Sequence, residues 1–167
     1  MVSRQASGLA PAFARAPLPR LCNLDRLLHA MKARDLDGVV ASLPYNVFYL
    51  TSFNGIAHKA DEPRPYAVIL SRHAPEHPIL VIADYYLATF LTQPTWVDDV
   101  RPFRAVMMPL DLPPQRTDID RFIPKGGAGL PWLEHARESY AFDMGSAVRD
   151  ALADLRLDRA RVAFDDM

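Results

Sequence analysis

The chain has 167 residues, enough for one domain that buries roughly two-thirds of its unfolded surface. It is 50% hydrophobic and 23% charged with a net charge of -1, so it carries no basic footprint for nucleic acid. No apolar run approaches the roughly 18 residues of a membrane span, and the single cysteine, Cys22, cannot form an internal disulfide, which fits a reducing compartment such as the cytoplasm.

The first 24 residues hold no acid, three Arg and three Pro. These interrupt any continuous apolar core of a secretory signal, so residues 1–20 read as a loosely ordered arm and 21–167 as the domain. Leu24, Leu27, Leu28 and Met31 follow the spacing of one helix face, with Asn23 as N-cap, and predict a helix over 23–34. Gly38 to Ser42 predicts a buried strand. Pro44 suits a first helical turn, with Ser42 near the cap, so 46–50 reads as a short helix. Tyr66–Ser71 and Ile79–Ile82 predict two strands, and RHAPEHP between them a hairpin connection. Asp84 is positioned to cap a helix carrying Leu87 and Leu91. Trp96–Phe103 predicts an edge strand, because Pro102 cannot donate to a ladder. No clean period runs from Arg104 to Arg137, which reads as a Pro-rich insertion. Met144 to Leu155 predicts a helix and Arg161 to Asp165 a closing strand. Hairpins alternate with crossovers, so the fold class is α/β, a mixed β-sheet flanked by helices.

The residues alone show no catalytic set. His73 and His77 have helical spacing, but Pro75 and Pro78 make them turn residues rather than metal ligands. His29 reads as surface. Asp98 and Asp99 are neighbours in a strand and point to opposite faces. KGGAG lacks the strand and the Lys-Ser/Thr end of a phosphate loop. Cys22 stands beside a helix start, a place that lowers a thiol pKa, yet no partner base is identifiable and a packing role is preferred.

One stretch remains unexplained, PYNVFYLTSFNG over 44–55, with Asn46, Tyr49, Thr51 and Ser52 among core-like apolar residues. It lies in an ordered series: DRLLHAMKARDLDGVVAS, then PYNVFYLTSF, RPYAVIL, ILVIADYYL, WVDDVRPF and, last, RVAFDD. This series resembles the N-terminal domain of the creatinase/prolidase/aminopeptidase P family, the pita-bread metallohydrolases. The match covers about Leu21 to Arg104 and Ala141 to Met167. It departs from the family pattern at Ser52, where Gly is usual, and in the long segment after Arg104.

The resemblance implies a mixed α/β domain with a ribonuclease H-like motif that is not itself catalytic. It implies no catalytic residue, metal ligand or cofactor here. In the family's peptidases a following catalytic half holds two divalent metals; nothing in this chain matches it. It implies a homodimer, and a small peptide or small amide substrate met through the full-length enzyme. The loop from Phe53 to Arg64 would reach towards the substrate pocket. Arg64 would bind a substrate carboxylate through its planar fork, with His58 and Lys59 beside it, and Phe53 would wall the pocket. Asn46 and Tyr49 would be structural polar groups. Two other functions stay open: a stand-alone binding or dimerisation module, and an unrelated α/β enzyme with its site in the 104–137 segment.

Overall fold

The computed structural model describes residues 16–55, 65–105, 115–124, 127 and 129–165. The first helix, α1 (Leu24–Ala33), starts where the sequence predicts: the Asn23 side chain accepts from the Arg26 N–H at 3.0 Å. Strand β1 (Gly38–Ala41) follows, then α2 (Pro44–Thr51) with Pro in its first turn. Strands β2 (Tyr66–Ser71) and β3 (Ile79–Ala83) pair antiparallel through the predicted hairpin. A 3₁₀ turn at Asp84–Tyr86 leads into α3 (Leu87–Thr92). Strand β4 (Asp99–Phe103), a 3₁₀ segment at Arg116–Phe122, α4 (Pro131–Glu138), α5 (Met144–Asp154) and β5 (Val162–Phe164) complete the order.

The five strands form one mixed sheet in the order β4-β3-β2-β1-β5. β1 is antiparallel to β2 and parallel to β5, and β3 is parallel to β4. Every residue of β2 and β3 is buried, as expected of strands covered on both faces. Helix α5 packs on β2, β3 and β4, α4 on β4, and α2 on β2.

Strand β4 is an edge, as Pro102 requires. The Pro102 carbonyl accepts from the Ala141 N–H at 3.1 Å, on the side away from β3. The two main-chain polar groups of a strand residue face the same way, so the donor that Pro102 lacks would also have pointed outward. The edge is further covered where Arg104 N–H donates to the Ala141 carbonyl at 3.0 Å.

Three expectations need correction. The 104–137 segment is not structureless: it holds the 3₁₀ segment and α4. Asp84 caps no helix, since the turn it begins has Ala83 at its N-cap and no side-chain cap. Ser42 does not cap α2, whose N-cap is Leu43. The described part of the N-terminal arm lies against the body: Leu18 N–H donates to the Pro94 carbonyl at 2.8 Å, and Arg20 pairs with Glu76 at 2.8 Å.

Candidate functional site

The PYNVFYLT residues form α2, and its polar groups are spent on holding it. The helix start receives its anion from the far end of the chain. Asp165, just beyond β5, accepts from the N–H groups of Ser42 (2.8 Å) and Leu43 (3.0 Å), from the Ser42 hydroxyl (3.3 Å) and from the Asn46 side-chain amide (2.9 Å). A carboxylate at this position satisfies orphan donors and complements the positive helix end. Tyr49 accepts at its hydroxyl from the Asn23 N–H at 2.8 Å, joining α2 to the start of α1. Asn46 and Tyr49 therefore both make structural hydrogen bonds.

The helix ends at Ser52, whose φ of 61° and ψ of 9° are left-handed. Glycine is favoured at such a position because it has no Cβ to clash. Ser52 is held there by its buried hydroxyl, which donates to the Pro19 carbonyl at 2.5 Å. Thr51 turns back in the same way, donating to Val47 carbonyl at 2.6 Å and accepting from the Phe53 N–H at 3.0 Å.

Phe53, the expected pocket wall, lies in the core at 2% exposure. Its ring meets Tyr66 and Tyr86 edge-on at 5.6 and 6.0 Å, and Phe90 at 6.2 Å. Burying such a ring is worth about 3 kcal/mol, enough to fix the chain where it leaves α2. Two residues on, Gly55 presses against Tyr66 so closely that a Cβ would stand 2.5 Å from the ring. Pro65 is held by its carbonyl, which accepts from the Ala83 N–H at 2.9 Å. His58, Lys59 and Arg64 lie between these two anchors and outside the described residues, so the expected substrate contacts do too.

Beside Pro65 lies a buried polar network that sequence reasoning missed. Asp84, 1% exposed, accepts the Tyr140 hydroxyl at 2.7 Å and has the Arg121 guanidinium at 3.7 Å. Burial, and then the facing Asp84 carboxylate, push the Tyr140 pKa up, so the phenol stays a neutral donor across the physiological range. Arg104, also buried, pairs with Asp118 at 2.8 Å. The two residues of the Asp84–Tyr140 bond are 56 positions apart, with no motif linking them. A second polar cleft, about 260 Å³, lies beside α4 and α5. Its buried Arg101 grips both oxygens of Asp99 (2.9 and 2.8 Å) and one of Asp154 (2.6 Å), and His135 approaches Asp99 at 3.0 Å. Burial opposes the Arg101 charge, but those carboxylates outweigh it and its pKa is raised. These groups are already bonded to one another. Among the described residues no three His, Cys, Asp or Glu side chains converge on a metal position. The Cys22 thiol is buried, and burial pushes its pKa up, away from the reactive thiolate.

A mainly apolar cleft of about 290 Å³ runs between α2 and β5, lined among others by Leu27, Asn46, Tyr49, Ala163, Phe164 and Asp165. Tyr45, Phe48 and Tyr49 share the outer face of α2 at i, i+3 and i+4, and all three are exposed. They make an exposed aromatic face on α2, and Tyr49 and Phe164 both line the cleft. Its chemistry is that of contact, not of proton or group transfer. Among the described residues no helix is long and apolar enough to cross a membrane. Compared with protein-family models, with curated proteins and with solved structures, the chain returns no match.

Proposed function

We propose that this chain is a non-catalytic module of the creatinase/prolidase/aminopeptidase P type, contributing dimer contacts and a loop that caps a substrate pocket. The observation that carries this reading is the meeting of the second and the last motifs of the series. Asn46 of PYN and Asp165 of RVAFD are 119 positions apart and share a hydrogen bond of 2.9 Å. Ser52 supports it too: the residue at which the family usually carries Gly has the left-handed backbone that favours Gly. In this reading the loop with His58 and Arg64 springs from a rigid aromatic base, and Arg64 takes the carboxylate of an Xaa-Pro peptide or a related small amide. Any metal chemistry belongs to a catalytic domain of the full-length enzyme.

The exposed aromatic face of α2 favours a second reading, a stand-alone binding or dimerisation module. Both are tested by assaying the purified chain on Xaa-Pro dipeptides with and without divalent metal, and by calorimetry with the same peptides. No turnover is expected, and turnover by the chain alone overturns both readings. Binding without turnover, weakened about tenfold in Arg64→Ala, favours the second. Binding that Arg64→Ala leaves unchanged removes the carboxylate role of Arg64.

A further inference from the structure

Residues 16–21 lie against the body of the fold yet are all exposed, and burial begins only at Cys22 and Leu24. This arm is held by polar contacts instead, and they reach separate parts of the body. Leu18 N–H donates to the Pro94 carbonyl at 2.8 Å, in the connection after α3. The Pro19 carbonyl accepts the Ser52 hydroxyl at 2.5 Å, at the end of α2. Arg20 pairs at 2.8 Å with Glu76, in the β2–β3 connection, and its guanidinium lies 5.3 Å from the centre of the Trp96 ring. These few contacts oppose the backbone freedom of six residues. Pro17 and Pro19 lower that cost, because their φ angles are already restricted. The fit is also incomplete. A cavity of about 260 Å³ is lined by Ala16 and Leu18 of the arm and by Thr92, Gln93 and Pro94 of the body. The indole N–H of Trp96 is buried and has no acceptor among the described residues. An arm with little burial, few bonds and an imperfect seat belongs to the low-stability end of a fold.

We propose that residues 16–21 form a releasable latch on the exit of α2. Ser52 links the two. Its left-handed backbone is unfavourable for a residue with a Cβ, and the bond to Pro19 offsets that cost only while the arm is docked. Release of the arm withdraws the acceptor, and the strain then favours opening of the turn at Ser52. By reciprocity, opening of the turn favours release of the arm. The Arg20–Glu76 pair is open to solvent, with side chains 34 and 62% exposed, so salt weakens it. It therefore loosens the latch from a point that does not touch Ser52. The coupling is independent of the proposed function; under that reading the latch sets the base from which the chain leaves α2 towards Arg64.

The test is amide hydrogen exchange by NMR on the intact chain, followed at three residues. Leu18 reports the arm. Ser52, whose N–H donates to the Phe48 carbonyl, reports the turn. Ile69, in the strand between β1 and β3, reports opening of the whole fold. Glu76→Gln removes the ion pair and is expected to speed exchange about threefold at both Leu18 and Ser52, with Ile69 unchanged. Salt at about 0.5 M is expected to do the same to the unaltered chain and nothing further to Glu76→Gln. Ser52→Ala removes the hydroxyl and is expected to speed exchange at Leu18 about fivefold. The salt series needs no substitution and remains a readout if Ser52→Ala fails to fold. Exchange at Leu18 as slow as at Ile69 would mean that the arm opens only with the whole fold, which overturns the latch. Faster exchange at Leu18 with Ser52 unmoved overturns the coupling and leaves only a fraying arm. Neither readout involves peptide binding, so failure of the latch leaves the proposed function standing.

Discussion

A carboxylate that accepts from two backbone amides, a hydroxyl and a side-chain amide has no neutral substitute of the same size. Asp165 holds such a position at the start of α2. Replacing it with Asn removes the charge and turns an amide donor towards groups that are themselves donors. Asp165→Asn is therefore expected to cost about 2 kcal/mol, and Asn46→Ala about 1 kcal/mol, because the latter removes one of the four bonds. Urea unfolding with an unchanged m-value measures both, and a cost for Asp165→Asn below that of Asn46→Ala would contradict the assignment. Asp165 was visible in the sequence as the D of RVAFD, but its role was not. A cap that lies 122 positions from its Leu43 amide leaves no local spacing to read. The same holds for Asp84 and Tyr140, which are joined only by the fold.

At the scale of the element, α2 is bounded by a borrowed cap and a strained exit. Ser52→Gly relieves the left-handed cost of about 1 kcal/mol but deletes a bond to the Pro19 carbonyl of similar worth, so the change in stability is expected to be small. Ser52→Val puts a β-branched side chain into the same backbone and is expected to cost about 3 kcal/mol. Thermal melts of the two variants check the contrast; equal melting temperatures would mean that the backbone relaxes out of the left-handed region. Elements were legible where one signal sufficed. β2 and β3 are unbroken apolar runs, and α1 combines a cap with a clear apolar face. Helix α4 escaped because it is eight residues long and buries only Leu133 and Ala136, too few to reveal a period. Phe53 was misplaced for a related reason: an aromatic residue at the mouth of a loop reads equally well as pocket wall or as core, and only the rings of Tyr66, Tyr86 and Phe90 around it decide.

At the scale of the molecule, one carboxylate ties three separate stretches of chain together. Asp37, just before β1, accepts from Arg72 at 2.9 Å, from His73 at 3.1 Å and from the Arg161 N–H at 3.2 Å. The hydrogen bonds from His73, Arg72 and the Arg161 backbone, in that order, hold its carboxyl down from 3.8 to about 2. The folded state thus favours the charged form. The contribution is fully present above about pH 4, where the unfolded carboxyl is also ionised, and is lost as pH falls towards about 2. Urea midpoints measured between these limits are expected to fall with pH, and less steeply in Asp37→Asn; parallel slopes would show that Asp37 does not drive the acid limb.

The late partner of β1 bears on how the protein is made. Strand β1 finds β2 soon after both have left the ribosome, but its other side and the start of α2 wait for Asp165, 123 residues beyond Ser42. During that interval a nascent chain shows an unpaired strand edge beside an uncapped aromatic helix, the kind of surface that chaperones bind. Translation speed over the intervening residues, rather than the stability of the finished domain, then sets how long the chain is open to misassembly.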